Sequence, residues 1–153
     1  MKEVEELKRL VEEKLRGRVL LVTVFGSRAR GRATPLSDVD IAVLPASRDV
    51  DERLRIACDL AELASKAFKV PDDRVDVLFL DEDLPIELLF EAVARGILVY
   101  CSDKDLYADL RLRAISMYLD FKVFKEKLQL TRRFVEAVKR DLGGEARNPV
   151  KHH

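Results

Sequence analysis

Two short runs of apolar, mostly β-branched residues, Val19–Phe25 and Val39–Leu44, constrain the fold more than any other feature of the chain. Each run has the length of a β-strand and is bounded by turn-forming or polar residues. Runs this short and this apolar are typical of strands inside a sheet. The segment between them is rich in Gly, Ser, Arg and Pro, and it predicts an exposed loop.

Two acidic residues separated by one position, Asp38 and Asp40, open the second run. Residues two apart on a strand point to the same face, so both carboxylates are expected on one side of the sheet. The residues that alternate with them, Val39, Ile41 and Val43, predict a buried opposite face. Two acids on a half-buried strand are costly unless a cation or hydrogen bonds balance them, so the pair is a candidate site for a divalent metal.

The first run ends in Gly26-Ser27, and Arg28, Arg30 and Arg32 follow at once. Glycine lets the backbone approach a phosphate closely, and serine adds a hydroxyl and a backbone N–H. Arginine offsets phosphate charge, and any of the three fits that role. Each feature alone is commonplace. Their joint spacing with the two acids favours a site that holds a polyphosphate and a metal, as nucleotidyl transfer requires.

A third acid, Asp76, lies in an otherwise apolar predicted strand. It either completes a three-carboxylate site with Asp38 and Asp40 or forms an ion pair with Arg74 or Arg55. Other acids separated by one position precede predicted helices, where aspartate caps the N-terminus or interacts with the helix dipole; these pairs are Asp49/Asp51, Asp81/Asp83 and Asp103/Asp105.

Helical periodicity and stop signals predict helices at residues 3–16, 51–68, 85–96 and 103–142, and two further strands at 75–80 and 97–100. The pattern predicts an α/β (α+β) fold with a small sheet flanked by helices and a long C-terminal helix. We expect one domain over residues 1–143 and a flexible tail over 144–153. The tail ends in His152-His153, which we interpret as a tag remnant.

Composition narrows the possible functions. The chain has 28 basic and 28 acidic residues and no net charge, so nothing favours nucleic acid as a direct substrate. Its only histidines are at the C-terminus, which removes histidine catalysis and histidine-ligated zinc. Cys58 and Cys101 lie in apolar surroundings and predict buried free thiols. No apolar run reaches membrane-spanning length, and we expect a cytoplasmic protein.

The spacing Gly26-Ser27, ten residues, then Asp38-x-Asp40, followed by a strand aspartate, resembles the DNA polymerase β-like nucleotidyltransferase superfamily. The segment GSRARGRATPLSDVDI is more narrowly similar to the minimal nucleotidyltransferases (MNT), the antitoxin partners of HEPN toxins. The resemblance extends through Asp76, ARGILVY and the helical segment with YLDFK. It implies the polymerase β-like fold with a mixed sheet. Because the chain is smaller than other members of the superfamily, we expect no appended domain for tRNA, DNA or an antibiotic.

The resemblance also implies the chemistry. Asp38, Asp40 and Asp76 would bind two Mg²⁺ ions, about 3.5–4 Å apart in such sites. Gly26 and Ser27, with Arg30, would hold the triphosphate of ATP. The acceptor hydroxyl, a tyrosine of the HEPN toxin, would attack the α-phosphorus, with one or several AMP units transferred. Two alternatives stay open: an antitoxin that masks its toxin without chemistry, and a nucleotidyltransferase for an aminoglycoside-like small molecule.

An apolar stripe follows the predicted C-terminal helix at steps of mostly three or four residues. Up to Phe124 the stripe fits either the core of the domain or an interface. Beyond Phe124 it favours an interface with an acidic, helical partner, because basic residues flank it at Lys125, Lys127, Arg132, Arg133, Lys139 and Arg140. We therefore expect the toxin to bind through this helix. Homo-oligomerisation is left open.

Overall fold

A computed structural model describes the backbone of residues 1–151 and the side chains of residues 1–143. The interpretation of His152-His153 as a tag remnant lies outside the described residues, and the boundary between a domain and a tail at residue 144 remains a prediction. The elements are α1 (Lys2–Leu15), β1 (Val19–Phe25), β2 (Val39–Pro45), α2 (Val50–Phe68), β3 (Val75–Phe79), α3 (Ile86–Leu89), β4 (Ile97–Cys101) and α4 (Lys104–Lys151).

The four strands form one mixed sheet in the order β3-β2-β1-β4. β1 pairs antiparallel with both β2 and β4, and β2 pairs parallel with β3. The two apolar runs of the sequence thus occupy the centre of the sheet, as their composition predicts. The mixed α+β architecture with a long C-terminal helix is the fold expected from the sequence.

One face of the sheet is covered by α1 and α2. Both helices bury residues at steps of three or four, such as Leu7 and Val11 of α1 and Ile56 and Leu60 of α2. They pack against the inward-facing valines and isoleucine of the central strands to form the larger apolar core. This layer fixes the position of the central strands, and the acids lie at one end of the sheet.

The other face is covered by α3, a π-helical turn at Phe90–Ala94 and the first turns of α4. The sequence predicts one helix over residues 85–96, but the structure has four residues of α-helix followed by the wider turn. The buried Thr23 hydroxyl of β1 donates to the carbonyl oxygen of Ala92 at 2.7 Å, which satisfies an end-of-helix carbonyl. The π-helical turn is therefore anchored directly to β1.

The chain forms two compact units, Met1–Ser116 and Met117–His153. The first contains the whole sheet. In the second, α4 extends to Lys151, beyond the predicted end near Leu142, since glycines at 143 and 144 weaken a helix without removing its backbone hydrogen bonds. Nowhere in the described part of the chain is a helix both long and apolar enough to cross a membrane.

Two details of the sequence interpretation are wrong. Cys58 is exposed and Cys101 is half-buried, because Cys58 lies on the side of α2 opposite Ile56 and Cys101 ends the edge strand β4. Asp81 is not a helix cap: α3 begins at Ile86, too far along the chain, and Asp81 instead pairs with Arg53 at 2.5 Å.

The other two aspartate pairs do cap helices. The side chain of Asp49 accepts a hydrogen bond from the backbone N–H of Glu52 at 3.1 Å, at the start of α2. Asp103 accepts from the N–H of Asp105 at 2.9 Å, at the start of α4. These acids therefore have structural roles, which leaves Asp38, Asp40 and Asp76 as the candidates for chemistry.

Candidate active site

The register of β2 against β3 brings the predicted acids together. Asp40 and Asp76 are direct partners in the parallel pair, so their Cα atoms are neighbours about 4.8 Å apart. Both point to the face of the sheet that carries α3, because they alternate with Ile41 and Val77. Asp38 immediately precedes β2. Asp38 and Asp76 are exposed and Asp40 is half-buried.

The three carboxylates influence one another. Burial raises the pKa of Asp40 above its ordinary value, and the negative charges of Asp76 and Asp38 raise it further. Among the described residues, no cation forms an ion pair with any of the three. This end of the sheet therefore concentrates negative charge that the protein itself does not neutralise.

Gly26 lies against the Asp40 carboxylate. Phe25 pairs with Asp40 across β1 and β2, and Gly26 follows at once with a φ of +76°. A β-carbon at residue 26 would be 2.4 Å from Oδ2 of Asp40, far inside contact distance. Only glycine fits here, on both backbone and steric grounds. The Gly-Ser turn and the acid pair thus belong to one site.

The backbone after Gly26 forms a tight helical turn. The carbonyl of Gly26 accepts from the N–H of Ala29 at 3.1 Å, and the carbonyl of Ser27 accepts from the N–H groups of Arg30 and Arg32. The Ser27 hydroxyl has no hydrogen-bond partner among the described residues. The turn therefore carries an unbonded hydroxyl one residue after Gly26, at the position where the sequence predicts a phosphate contact.

The three arginines of this loop differ in their surroundings. Arg28 donates to the carbonyl of Ser37 at 2.8 Å and stacks 5.4 Å from the ring centre of Phe68, so it holds the loop. Arg30 forms an ion pair with Glu91 of the π-helical turn. Arg32 is exposed. Arg28 therefore has a structural role, and Arg30 forms an ion pair with a single carboxylate.

The alternative interpretation of Asp76, an ion pair with Arg74 or Arg55, is not found. Arg74 donates to the carbonyl oxygen of Leu36, and Arg55 lies 3.8 Å from Glu52. The Arg74 contact ties the loop that precedes Asp38 to the start of β3. This contact therefore fixes the position of Asp38 relative to Asp76 and neutralises neither acid.

The described residues contain no cluster of three or more His, Cys, Asp or Glu side chains already arranged to hold a metal ion. The donor chemistry nevertheless fits Mg²⁺, which prefers carboxylate oxygens and phosphate to nitrogen or sulfur. Burial and the negative charges of Asp76 and Asp38 raise the pKa of Asp40, and a cation bound at this point would favour the ionised carboxylate again.

Sequence reasoning missed Glu91. Its side chain contacts Arg30 on one oxygen and Arg95 on the other, the latter at 3.1 Å. No motif or spacing marks Glu91, because its position depends on the π-helical turn, which interrupts the helical periodicity. An acid in a short predicted helix gives no signal that distinguishes it from a surface residue.

Known proteins resemble this chain in sequence and in fold. The family model described as polymerase beta, nucleotidyltransferase, matches residues 5–105. A chain of a toxin–antitoxin complex with AMP-PNP is 25% identical, with a TM-score of 0.57, over 79% of this chain and 94% of that chain. A mutant of the MntA–HpeT toxin–antitoxin gives 26% identity and a TM-score of 0.54, over 78% and 89% of the two chains.

A third solved structure is tri-AMPylated Shewanella oneidensis HEPN toxin in complex with MNT antitoxin. The matching chain is 23% identical, with a TM-score of 0.53, over 84% of this chain and 95% of that chain. This likeness shows the shared fold. No curated protein matches the chain. The family model spans more than half of the sequence and includes the Gly-Ser turn and all three acids. This protein therefore belongs to the polymerase beta nucleotidyltransferase family.

Proposed function

We propose that this protein is an MNT-type antitoxin that transfers AMP from ATP to a hydroxyl group, a tyrosine, of a cognate HEPN toxin in the cytoplasm. The observation that carries the proposal is the contact between Gly26 and Asp40, which joins a phosphate-binding turn to a group of three carboxylates. Solved complexes with this fold hold AMP-PNP in one case and an AMPylated HEPN toxin in another.

The residues of the site would have separate roles in such a transfer. Gly26, Ser27 and Arg30 line the loop and would bind the triphosphate through backbone, hydroxyl and guanidinium groups. Asp38, Asp40 and Asp76 would hold two Mg²⁺ ions, which when bound supply positive charge that offsets the phosphates and the attacking oxygen. Asp40 is the neighbour of both other acids, of Asp76 across the sheet and of Asp38 along the chain, and would be the best placed to contact both ions.

In the chemical step the hydroxyl oxygen of the acceptor forms a bond to the α-phosphorus. The bond from that phosphorus to the bridging α–β oxygen breaks, and pyrophosphate leaves. The acceptor proton must pass to a base, and Asp76 is the exposed carboxylate on β3 available to take it. None of the site residues named above distinguishes one nucleobase from another, so the preference for ATP rests on the similarity to the AMP-PNP complex.

The toxin would bind along α4. From Met117 onward the apolar stripe is largely exposed, with Phe124 62% and Leu128 48% accessible, and it continues through Val135, Val138 and Leu142. The spacing is that of a coiled-coil seam, with basic side chains on its flanks. The exposed seam supports an interface, and its basic flanks favour an acidic helical surface on the toxin.

Intact-mass spectrometry tests the function directly. The full-length protein is incubated with purified HEPN toxin, ATP and Mg²⁺, and we expect the toxin to gain mass in increments of one AMP. Asp40→Asn should abolish the gain, while Asp73→Asn, a change of the same kind at an exposed turn, should leave it intact.

A toxin whose mass is unchanged but whose activity is suppressed would show masking without chemistry and would overturn the proposal. Modification of an added aminoglycoside, with the toxin unmodified, would instead support the small-molecule enzyme.

A further inference from the structure

The ion pair between Arg30 and Glu91 connects the candidate phosphate loop to a distant part of the chain. Nη2 of Arg30 donates to Oε2 of Glu91, and the two side chains are 35% and 24% exposed. Glu91 uses its other oxygen to accept from Nη1 of Arg95 at 3.1 Å. Its carboxylate is therefore held between two guanidinium groups.

The backbone position of Glu91 is set by the π-helical turn at Phe90–Ala94. Next to Glu91, the carbonyl of Ala92 accepts the buried Thr23 hydroxyl. A β-carbon at Gly96 would lie 2.3 Å from that carbonyl oxygen and 3.1 Å from the carbonyl oxygen of Val24. These close contacts lock the turn onto β1, the strand that leads directly into Gly26. π-Helical turns frequently occur at functional sites.

Arg30 keeps donors for a second partner. Only its Nη2 is bonded to a side chain, and neither Nε nor Nη1 has a hydrogen-bond partner among the described residues. A guanidinium presents its donors in a rigid planar fork, so fixing one nitrogen orients the others. The backbone N–H of Arg30 is also bonded, to the carbonyls of Gly26 and Ser27. Both ends of the side chain are thus restrained.

We propose that Glu91 is a positioning residue that holds the Arg30 guanidinium ready for a phosphate oxygen of the bound nucleotide. This inference rests on the proposed function of the loop. An arginine side chain has several rotatable bonds and loses rotamer entropy when it binds a ligand. Because the ion pair restricts Arg30 before the nucleotide arrives, part of that cost is removed from the binding step.

A double-mutant cycle on the full-length protein tests the inference, with ATP affinity measured calorimetrically in Mg²⁺ and without toxin. We expect Arg30→Ala to weaken binding about tenfold, the scale of one charge-assisted hydrogen bond. Glu91→Gln should weaken it by about threefold through lost orientation. In the Arg30→Ala background the same Glu91→Gln change should have no further effect, because Glu91 acts only through Arg30.

The matched control is Glu62→Gln, which makes the same change in an exposed ion pair with Lys66 on α2 and should leave ATP affinity unchanged. In steady-state assays with toxin, Glu91→Gln should raise KM for ATP and leave kcat near the wild-type value. A general structural defect would instead lower the melting temperature and affect both parameters.

The outcomes separate the two proposals. If Arg30→Ala weakens ATP binding and Glu91→Gln does not, or if Glu91→Gln strengthens binding because Glu91 competes with the phosphate, the positioning role is wrong and the proposed function stands. If the two substitutions are additive, Glu91 acts independently of Arg30 and the inference is also wrong. If the wild-type protein does not bind ATP at all, the proposed function itself fails.

Discussion

Oδ2 of Asp40 occupies the space that a side chain at residue 26 would need: a β-carbon on Gly26 would lie 2.4 Å from it. The contact arises because Phe25 and Asp40 are partners across β1 and β2, so the residue after Phe25 turns over the carboxylate. The candidate phosphate loop and the acid pair are separate in sequence but adjacent in space, as a nucleotidyltransferase site requires.

Gly26→Ala should cost the protein its transfer activity and leave it folded. The substitution forces Asp40 aside and also strains a backbone with φ +76°, at about 1–2 kcal/mol for a left-handed residue. We expect at least a tenfold loss of kcat, since small displacements of positioned groups can cost about 100-fold. Gly17→Ala is the control: its φ is +82°, but nothing lies within 4 Å of the new carbon. Equal activity in the two variants would contradict the steric argument.

Asp40→Asn should raise the melting temperature at neutral pH in the absence of metal. The pKa of Asp40 is raised in the folded state, so ionised Asp40 destabilises the fold at pH values above that pKa. At pH values between the ordinary and the raised pKa, the folded protein binds more protons than the unfolded chain. The advantage of the variant should shrink as pH falls through the raised pKa towards 3.8, the ordinary value. Melting curves across this range measure it.

A complementary experiment adds Mg²⁺ to the wild-type protein and to the Asp40→Asn variant. Adding Mg²⁺ should raise the melting temperature of the wild type, because an ion that binds only the folded state stabilises it, and it should have little effect on the Asn variant. A variant that is less stable than the wild type at every pH, or that responds equally to Mg²⁺, would show that Asp40 has a structural role instead.

Asp76→Asn should affect the chemical step more than ATP binding. We expect kcat to fall by about 100-fold or more, as for loss of a catalytic base, with ATP affinity changed by less than about twofold. Asp73→Asn, in the turn before β3, should alter neither. Normal turnover in Asp76→Asn accompanied only by a lower melting temperature would assign Asp76 to the fold.

The two sides of α4 should differ in toxin binding. Phe124→Ser, on the basic-flanked stripe, should weaken the complex by about 2 kcal/mol or more, the scale of an interface hot spot. Leu130→Ser, 63% exposed and on a different side of α4, is the control and should have a small effect. Titration of each variant with toxin provides the comparison. Loss of binding in Leu130→Ser alone would place the interface on another face of the helix.

The sequence predicts the strands and the acids well because both depend on local patterns. Alternation around Asp40 and the apolar runs of β1 and β2 determine which face each residue occupies. What could not be predicted depends on contacts between distant segments: the pairing of Arg30 with Glu91, the use of Arg74 to hold Leu36, and the π-helical turn that Thr23 anchors.

The long helix is also only partly predictable. Its stripe, with steps of three and four residues, is visible in the sequence, but apolar residues on another side of the helix, Leu119 and Leu130, are as exposed as those on the stripe. Periodicity indicates which residues share a face. It does not indicate whether the protein's own core or a partner covers that face, because this depends on how much apolar surface the rest of the chain can supply.

The most direct test of the central claim is the fate of the phosphates of ATP. The protein is incubated with HEPN toxin, Mg²⁺ and ATP labelled either on the α- or on the γ-phosphate, and the toxin is separated and counted. We expect the α-label to become covalently bound to the toxin and the γ-label to leave as pyrophosphate, with Asp40→Asn inactive in both assays. Transfer of the γ-label to the toxin, or retention of both labels in free ATP while the toxin is inhibited, would contradict the central claim.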